Sequence, residues 1–228
     1  ADFNGGNLRN AIAREAFGIV TIPAEKRGEV LASFNKMAAS IKDEFQFAEP
    51  KLEISCTETE LPAFVVDTDT QNKLLNAIYA CPHGVLEMSS RMENMVETST
   101  NLASVKFTNA NKIVVTTSQR SEIEGRKYYA AETVKAVFNL AGAAVIHSDG
   151  YPGWTPNPNS DILKTTVDSY KKLFGMEPVV RSIHAGLECG LFLEKYPHLD
   201  MVSFGPTIKG AHSPDERLDI STTEKFWK

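Results

Sequence analysis

The sequence predicts a mixed chain in two parts. Residues 1–149 read as an α+β layer, an antiparallel sheet with helices on one face, and residues 150–228 as part of an α/β domain. Three observations lead there. Two alternating runs, 97–108 and 112–121, are joined by Asn109-Ala110-Asn111, a hairpin signal. Pro152, Pro156 and Pro158 fall with Gly150 and Gly153 inside residues 149–158, a composition that marks a linker or domain crossing. Beyond it, helical periods alternate with short apolar runs, the pattern of a parallel sheet covered on both faces.

The elements follow in order. The second half of Asn10 to Pro23 alternates and is β-branched, so it predicts a strand that Pro23 stops. A helix is expected from Ala24 to about Phe47, with Met37, Ile41 and Phe45 on its apolar face. Leu52, Ile54 and Cys56 alternate through 51–57 and predict a short strand. Asp67 to Asp69 offer N-caps to a helix carrying Leu74, Leu75, Ile78 and Tyr79. Pro82-His83-Gly84 reads as a turn, followed by the hairpin. A third helix is expected over 132–140, ended by Gly142, and a strand over 143–147. After the linker come a helix (162–174), a strand (178–183), a helix (186–194), a strand (200–204), a polar loop and a last helix. Some 80 residues with two strands are too few for an α/β domain of their own, so this part must pack on strands outside the sequence.

Composition narrows the function. The chain has 228 residues, 42% apolar and 23% charged, an ordinary globular mix able to bury a core. Its net charge of −5 argues against a general affinity for nucleic acid or anionic membranes, which needs a cationic excess. No apolar run reaches the roughly 18 residues of a membrane span. Cys56, Cys81 and Cys189 are odd in number and form no CxxC pair, which predicts free thiols and a cytoplasmic protein. The opening ADFNGGNLRN is polar and has no starting Met, so the protein's true start is expected to lie upstream.

Two segments could carry chemistry. Gly205 to Arg217 is a polar loop after the apolar run 201–204, the position where α/β proteins place sites. Within it His212 is either a metal ligand, with Asp215 or Glu216 orienting its second nitrogen, or an exposed turn histidine. The second segment, His184 to Leu191, is a glycine turn opening a helix, whose backbone N–H groups either hold a carboxylate or are simply compensated by Glu188. A nucleophilic pairing of Cys189 with His184 lacks a third orienting group. Arg120 ends a strand in a polar run, where a guanidinium either forks onto a carboxylate or stays on the surface; Asn10 and Asn101 carry no mark of their own.

Taken together these segments say more. Phe3 to Ile12 (FNGGNLRNAI), Val96 to Asn101, Tyr151 to Trp154, HAGLECGLF at 184–192, Met201-Val202-Ser203, Gly205 to Ile208 and HSPDE at 212–216 occur in one order. The chain resembles the aminoacyl-histidine dipeptidases, within the wider carnosinase and aminoacylase family of zinc exopeptidases, over nearly its whole length. The resemblance implies that 1–149 is most of a lid, often the dimerisation element, and 150–228 the closing part of a catalytic domain holding two zinc ions. It implies that His212 is a metal ligand, that Asn10 and Arg120 grip the substrate's carbonyl and carboxylate, and that Gly186 lies in the loop meeting the dipeptide's C-terminus. It departs at Ala13, where the family has proline, and in the absence of any upstream segment, where the remaining ligands and the general-base glutamate are expected. No catalytic residue is therefore expected within this chain, and one histidine cannot hold a catalytic zinc, which needs about three protein ligands. The competing expectations are a non-catalytic α+β dimerisation or ligand-binding module, and a tripeptidase or deacylase of the same wider family.

Overall fold

The computed structural model describes residues 2–90, 93–108, 111–148, 150, 152–154, 157, 159–181, 188–211 and 215–228. Its centre is the long strand β4. Strands β1 (Asp2–Gly6) and β2 (Ala16–Ile19) pair antiparallel, and β3 (Gly84–Met88), β4 (Val96–Thr108) and β5 (Lys112–Ser121) complete a five-stranded sheet. β5 runs along one edge of β4, from Thr98↔Ser121 to Thr108↔Lys112. The other edge is shared end to end: β1 takes Ser104 to Lys106 and β3 takes Val96 to Thr100. A gap is left opposite residues 101–103. There the Leu102 N–H, with no strand to meet, donates to His83 Nδ1 at 3.0 Å.

The ladder contains a bulge. Leu102 pairs with Thr117 and Ser104 with Thr116, so Ala103 is an extra, fully buried residue. Side chains alternate between the faces of a sheet, and one extra residue inverts that alternation. Thr98, Thr100 and Leu102 before the bulge therefore share a face with Val105 after it, opposite Ser121, Gln119, Thr117 and Val115 on β5. This face packs under the helices. Leu102 and Val115 meet a core of Ala77 and Cys81 from α2 (Thr68–Ala80, ending at Cys81) and Val134 and Phe138 from α3 (Glu124–Leu140). Burial pushes the Cys81 thiol up. Its polar positions are satisfied within the sheet: Thr98 and Ser121 share a hydroxyl bond of 2.9 Å, and Gln119 Nε2 donates to Thr100 Oγ1 at 3.0 Å. At β1's end Gly6 has φ +63, and a Cβ there would lie 1.9 Å from the Ala103 carbonyl oxygen. Only glycine lets β1 stop so tightly against the bulge.

The helices begin where local chemistry directs. Asp67 caps α2 by accepting from Thr70 N at 2.9 Å, which also lowers its own pKa. α1 (Arg27–Phe45) turns Val30, Leu31, Phe34, Ala38 and Ile41 inward. Ile41 is as expected, but Met37 and Phe45 are exposed, because the inward stripe is set by 30, 34, 38 and 41. Ser160 caps α4 (Asp161–Phe174) through Leu163 N, and Asp200 Oδ2 accepts from Ile162 N. Gly175 closes α4 in the left-handed conformation. α5 (Glu188–Lys195) and α6 (Thr223–Trp227) follow, with β6 (Ile208–Lys209) and β7 (Arg217–Leu218) between them as a short ladder.

Several expected elements differ. α3 starts at Glu124, eight residues early, and β3 follows what reads as a turn. Residues 51–57, 143–147, 178–181 and 200–204 form no strand; 182–183 lie outside the described residues. A strand exists only where another supplies its hydrogen bonds. These segments have the composition of strands, and Ile146, Val179 and Phe204 are exposed, but no described strand pairs with them. For the same reason the expected parallel sheet has no described member. The linker touches both α3 and α5. Gly153 N donates to Glu124 Oε2 at 3.1 Å, and a Cβ on Gly190 would lie 2.6 Å from Pro152 O.

Candidate functional site

The face of the sheet away from α2 and α3 is polar. Alternation places Ser99 and Asn101 there before the bulge, Ser104 and Lys106 after it, and Thr116, Ser118 and Arg120 on β5. Asn4 faces Lys106 across the β1–β4 ladder, and the two side chains bond. Over this face runs the loop that leaves β1 at Gly6 and returns at Glu15, closed by Gly6 N donating to Glu15 O at 3.0 Å. A local turn, Ala11 N to Leu8 O at 3.2 Å, bends it around Asn10.

The sheet holds this loop by its carbonyls. Asn101 Nδ2 donates to Ala11 O at 2.8 Å and to Arg9 O at 3.3 Å. Arg120 Nη2 reaches Asn10 O at 3.5 Å. Three consecutive carbonyls are thus engaged by two side chains that are diagonal neighbours, since Ser99 pairs with Arg120 and Asn101 with Ser118. The Asn10 side chain is exposed. Arg120 is half-buried, and among the described residues no carboxylate pairs with it. Most of its five donors remain available to an anion.

Asn101 is held at a cost. Its Oδ1 is buried without a hydrogen-bond partner among the described residues. An orphaned buried acceptor costs about 1–3 kcal/mol, and the two bonds made by Nδ2 return about the same between them. The amide therefore adds little net stability at this position.

The arrangement unites Asn10 and Arg120, 110 residues apart in sequence. Gly186 and His212 lie outside the described residues. The loop bearing His212 is closed at its base by the β6–β7 ladder, by Asp219 N donating to Thr207 O at 2.8 Å, and by Lys209 pairing with Asp219 at 3.4 Å. Glu124, which receives the linker's Gly153 N–H, is pushed up by burial, but Lys127 and that N–H outweigh this and hold it below the usual carboxylate range. Sequence reasoning finds no mark of its own on Asn101 beyond a shared motif and reads His83 as a turn residue. Both act through partners brought to them by the sheet, for which the local sequence holds no signal.

Residues 12–227 match peptidase family M20/M25/M40. The chain belongs to that family. The M20 chain is 38% identical to the cytosol non-specific dipeptidase of Escherichia coli strain K12, over 99% of its own length and 46% of the relative's. It is also similar in structure to the aminoacylhistidine dipeptidase of Vibrio alginolyticus, with a TM-score of 0.85 and 42% identity over all of this chain and 46% of that one. The chain thus spans about half the length of both. The likeness bears out the α/β fold class and the kinship with aminoacyl-histidine dipeptidases. Dipeptidases of the M20 family are generally metal-dependent. Among the described residues, no three His, Cys, Asp or Glu side chains gather in a way that could hold a metal.

Proposed function

We propose that this chain forms most of the lid, residues 1–149, and the closing part of the catalytic domain, residues 150–228, of a zinc-dependent dipeptidase acting on aminoacyl-histidine and broader dipeptides. The observation that carries this reading is the meeting of Asn10 and Arg120 on the open polar face of the sheet. The exposed Asn10 amide suits a substrate carbonyl. The Arg120 fork, already oriented by the Asn10 carbonyl, suits the free carboxylate that only a peptide's end presents. Gly186, two residues ahead of α5 in the sequence, adds backbone contacts to that end. His212 supplies one metal ligand. The other ligands and the general base, which one histidine cannot replace, come from the half of the relatives' length that this chain does not span. The apolar segments at 143–147, 178–181 and 200–204 favour this, because they are strand-like and unpaired.

A substrate panel tests the reading. An enzyme of the relatives' length is expected to hydrolyse an aminoacyl-histidine dipeptide at least about tenfold better, in kcat/KM, than the tripeptide extended at its C-terminus. Such a ratio corresponds to about 1.4 kcal/mol of transition-state discrimination. Equal turnover of the tripeptide, or of an N-acyl amino acid, would replace the dipeptidase with a tripeptidase or deacylase.

The named Escherichia coli relative suggests a cytosolic enzyme, and among the described residues no helix is long and apolar enough to cross a membrane. We further propose that two copies pair through the lid. The outer edge of β5 meets no strand among the described residues, and an open edge of ten residues invites another. Sedimentation of the enzyme is expected to give a dimer; a monomer at every concentration would count against this edge.

A further inference from the structure

We propose that Asn101 is a positioning residue for substrate binding, acting through the loop that carries Asn10. This rests on the reading of Asn10 and Arg120 as substrate ligands. The loop from Asn7 to Glu15 is exposed along nearly its whole length, and among the described residues its backbone ties are only the closing bond at Gly6 and the turn at Leu8. Nothing local fixes it over the sheet. Asn101 does so with one amide group, whose two N–H bonds reach the carbonyls immediately before and after Asn10. With Arg120 on the carbonyl between them, the backbone that bears the Asn10 side chain is set from below at three successive peptides. The side chain itself is left exposed to meet a ligand.

Two features separate this from ordinary packing. The carbonyl end of the same amide is buried and has no partner among the described residues, so an apolar side chain of similar size would suit a purely structural position better. The strand is also held independently of the loop where Asn101 stands: Asn101 pairs with Ser118, and the next N–H is taken by His83. Asn101 therefore has a fixed base from which to hold a loop that has none.

The test is a double-substitution cycle in the metal-loaded enzyme of the relatives' length, read as kcat/KM on a dipeptide together with the thermal midpoint. Asn101→Ala removes the orphaned carbonyl along with the donors. We expect it to lose about tenfold in kcat/KM, equivalent to about 1.4 kcal/mol, with its midpoint unchanged. Asn101→Asp keeps the shape, loses both donors and turns an anionic oxygen toward two carbonyls, so its loss should be at least as large. In an Asn10→Ala background either change should cost less than about twofold more, because the residue it positions is gone. Additive losses, wild-type kcat/KM in Asn101→Ala, or a loss that tracks a collapsed midpoint would each overturn the proposal. Wild-type kcat/KM in Asn10→Ala would instead sink the underlying reading of the site, and a defective Asn10→Ala beside an unaffected Asn101→Ala sinks this inference alone.

Discussion

In a metal-loaded enzyme of the relatives' length, His212→Ala is expected to reduce dipeptide turnover by more than about 100-fold and to lower bound zinc. Losing a group that merely orients a ligand already costs about 10–100-fold in affinity or activity, and losing the ligand itself should exceed that. The described surroundings make the result readable. The base of the loop is held by the β6–β7 ladder and by Asp219, through Thr207, Lys209 and Ser221, and none of these bonds uses residue 212. Alanine there should leave the ladder standing, so a loss would report on metal rather than on unfolding. Metal analysis beside the assay decides it: normal zinc content with normal turnover would return His212 to an exposed turn.

Arg120→Ala is expected to abolish most of the preference for a free C-terminal carboxylate. A charge-assisted bond of this kind contributes about 1.5–3 kcal/mol, or roughly 10–150-fold at 1.4 kcal/mol per decade. The comparison is between a dipeptide and its C-terminal amide, wild type against variant. Arg120→Lys keeps the charge but not the fork, and should recover only part of the preference. Because Arg120 also touches the Asn10 carbonyl, the alanine variant should raise KM for the amide slightly as well. A preference that survives Arg120→Ala intact would place the carboxylate elsewhere, on the backbone around Gly186.

The parts of the fold that were legible in the sequence are those whose signals are local. The β4–β5 hairpin falls where its alternation and turn place it, and α2 begins at the cap offered by Asp67. The sequence places the start of α3 eight residues late, since Gly125 and the adjacent Tyr128 and Tyr129 obscure its first two turns, in which only Ala130 is buried. The failures at 51–57, 143–147, 178–181 and 200–204 have a different cause. Alternation and β-branching report that a segment is fit to pair, whereas a strand also needs a neighbour, which is not encoded in the segment itself. The site divides the same way. The meeting of Asn10 and Arg120 is legible only through the family resemblance, because each alone is an unremarkable polar residue. The hold of Asn101 on the loop spans 90 and 92 residues of sequence, and it exists only because the sheet brings strand and loop together.

The extra residue at Ala103 acts on the strand as a frameshift acts on a message. A sheet is written in an alphabet of two, in and out, and the bulge changes phase once, between the half of β4 that serves the loop and the half that pairs with β1. Upstream, odd numbers look toward the loop side; downstream, even numbers do. Deleting Ala103 would leave every other letter of β4 unchanged and still exchange the two faces along one half of the strand, sending either Asn101 toward the helices or Val105 toward solvent. The composition of the strand can therefore drift on either side of residue 103, while its length there cannot.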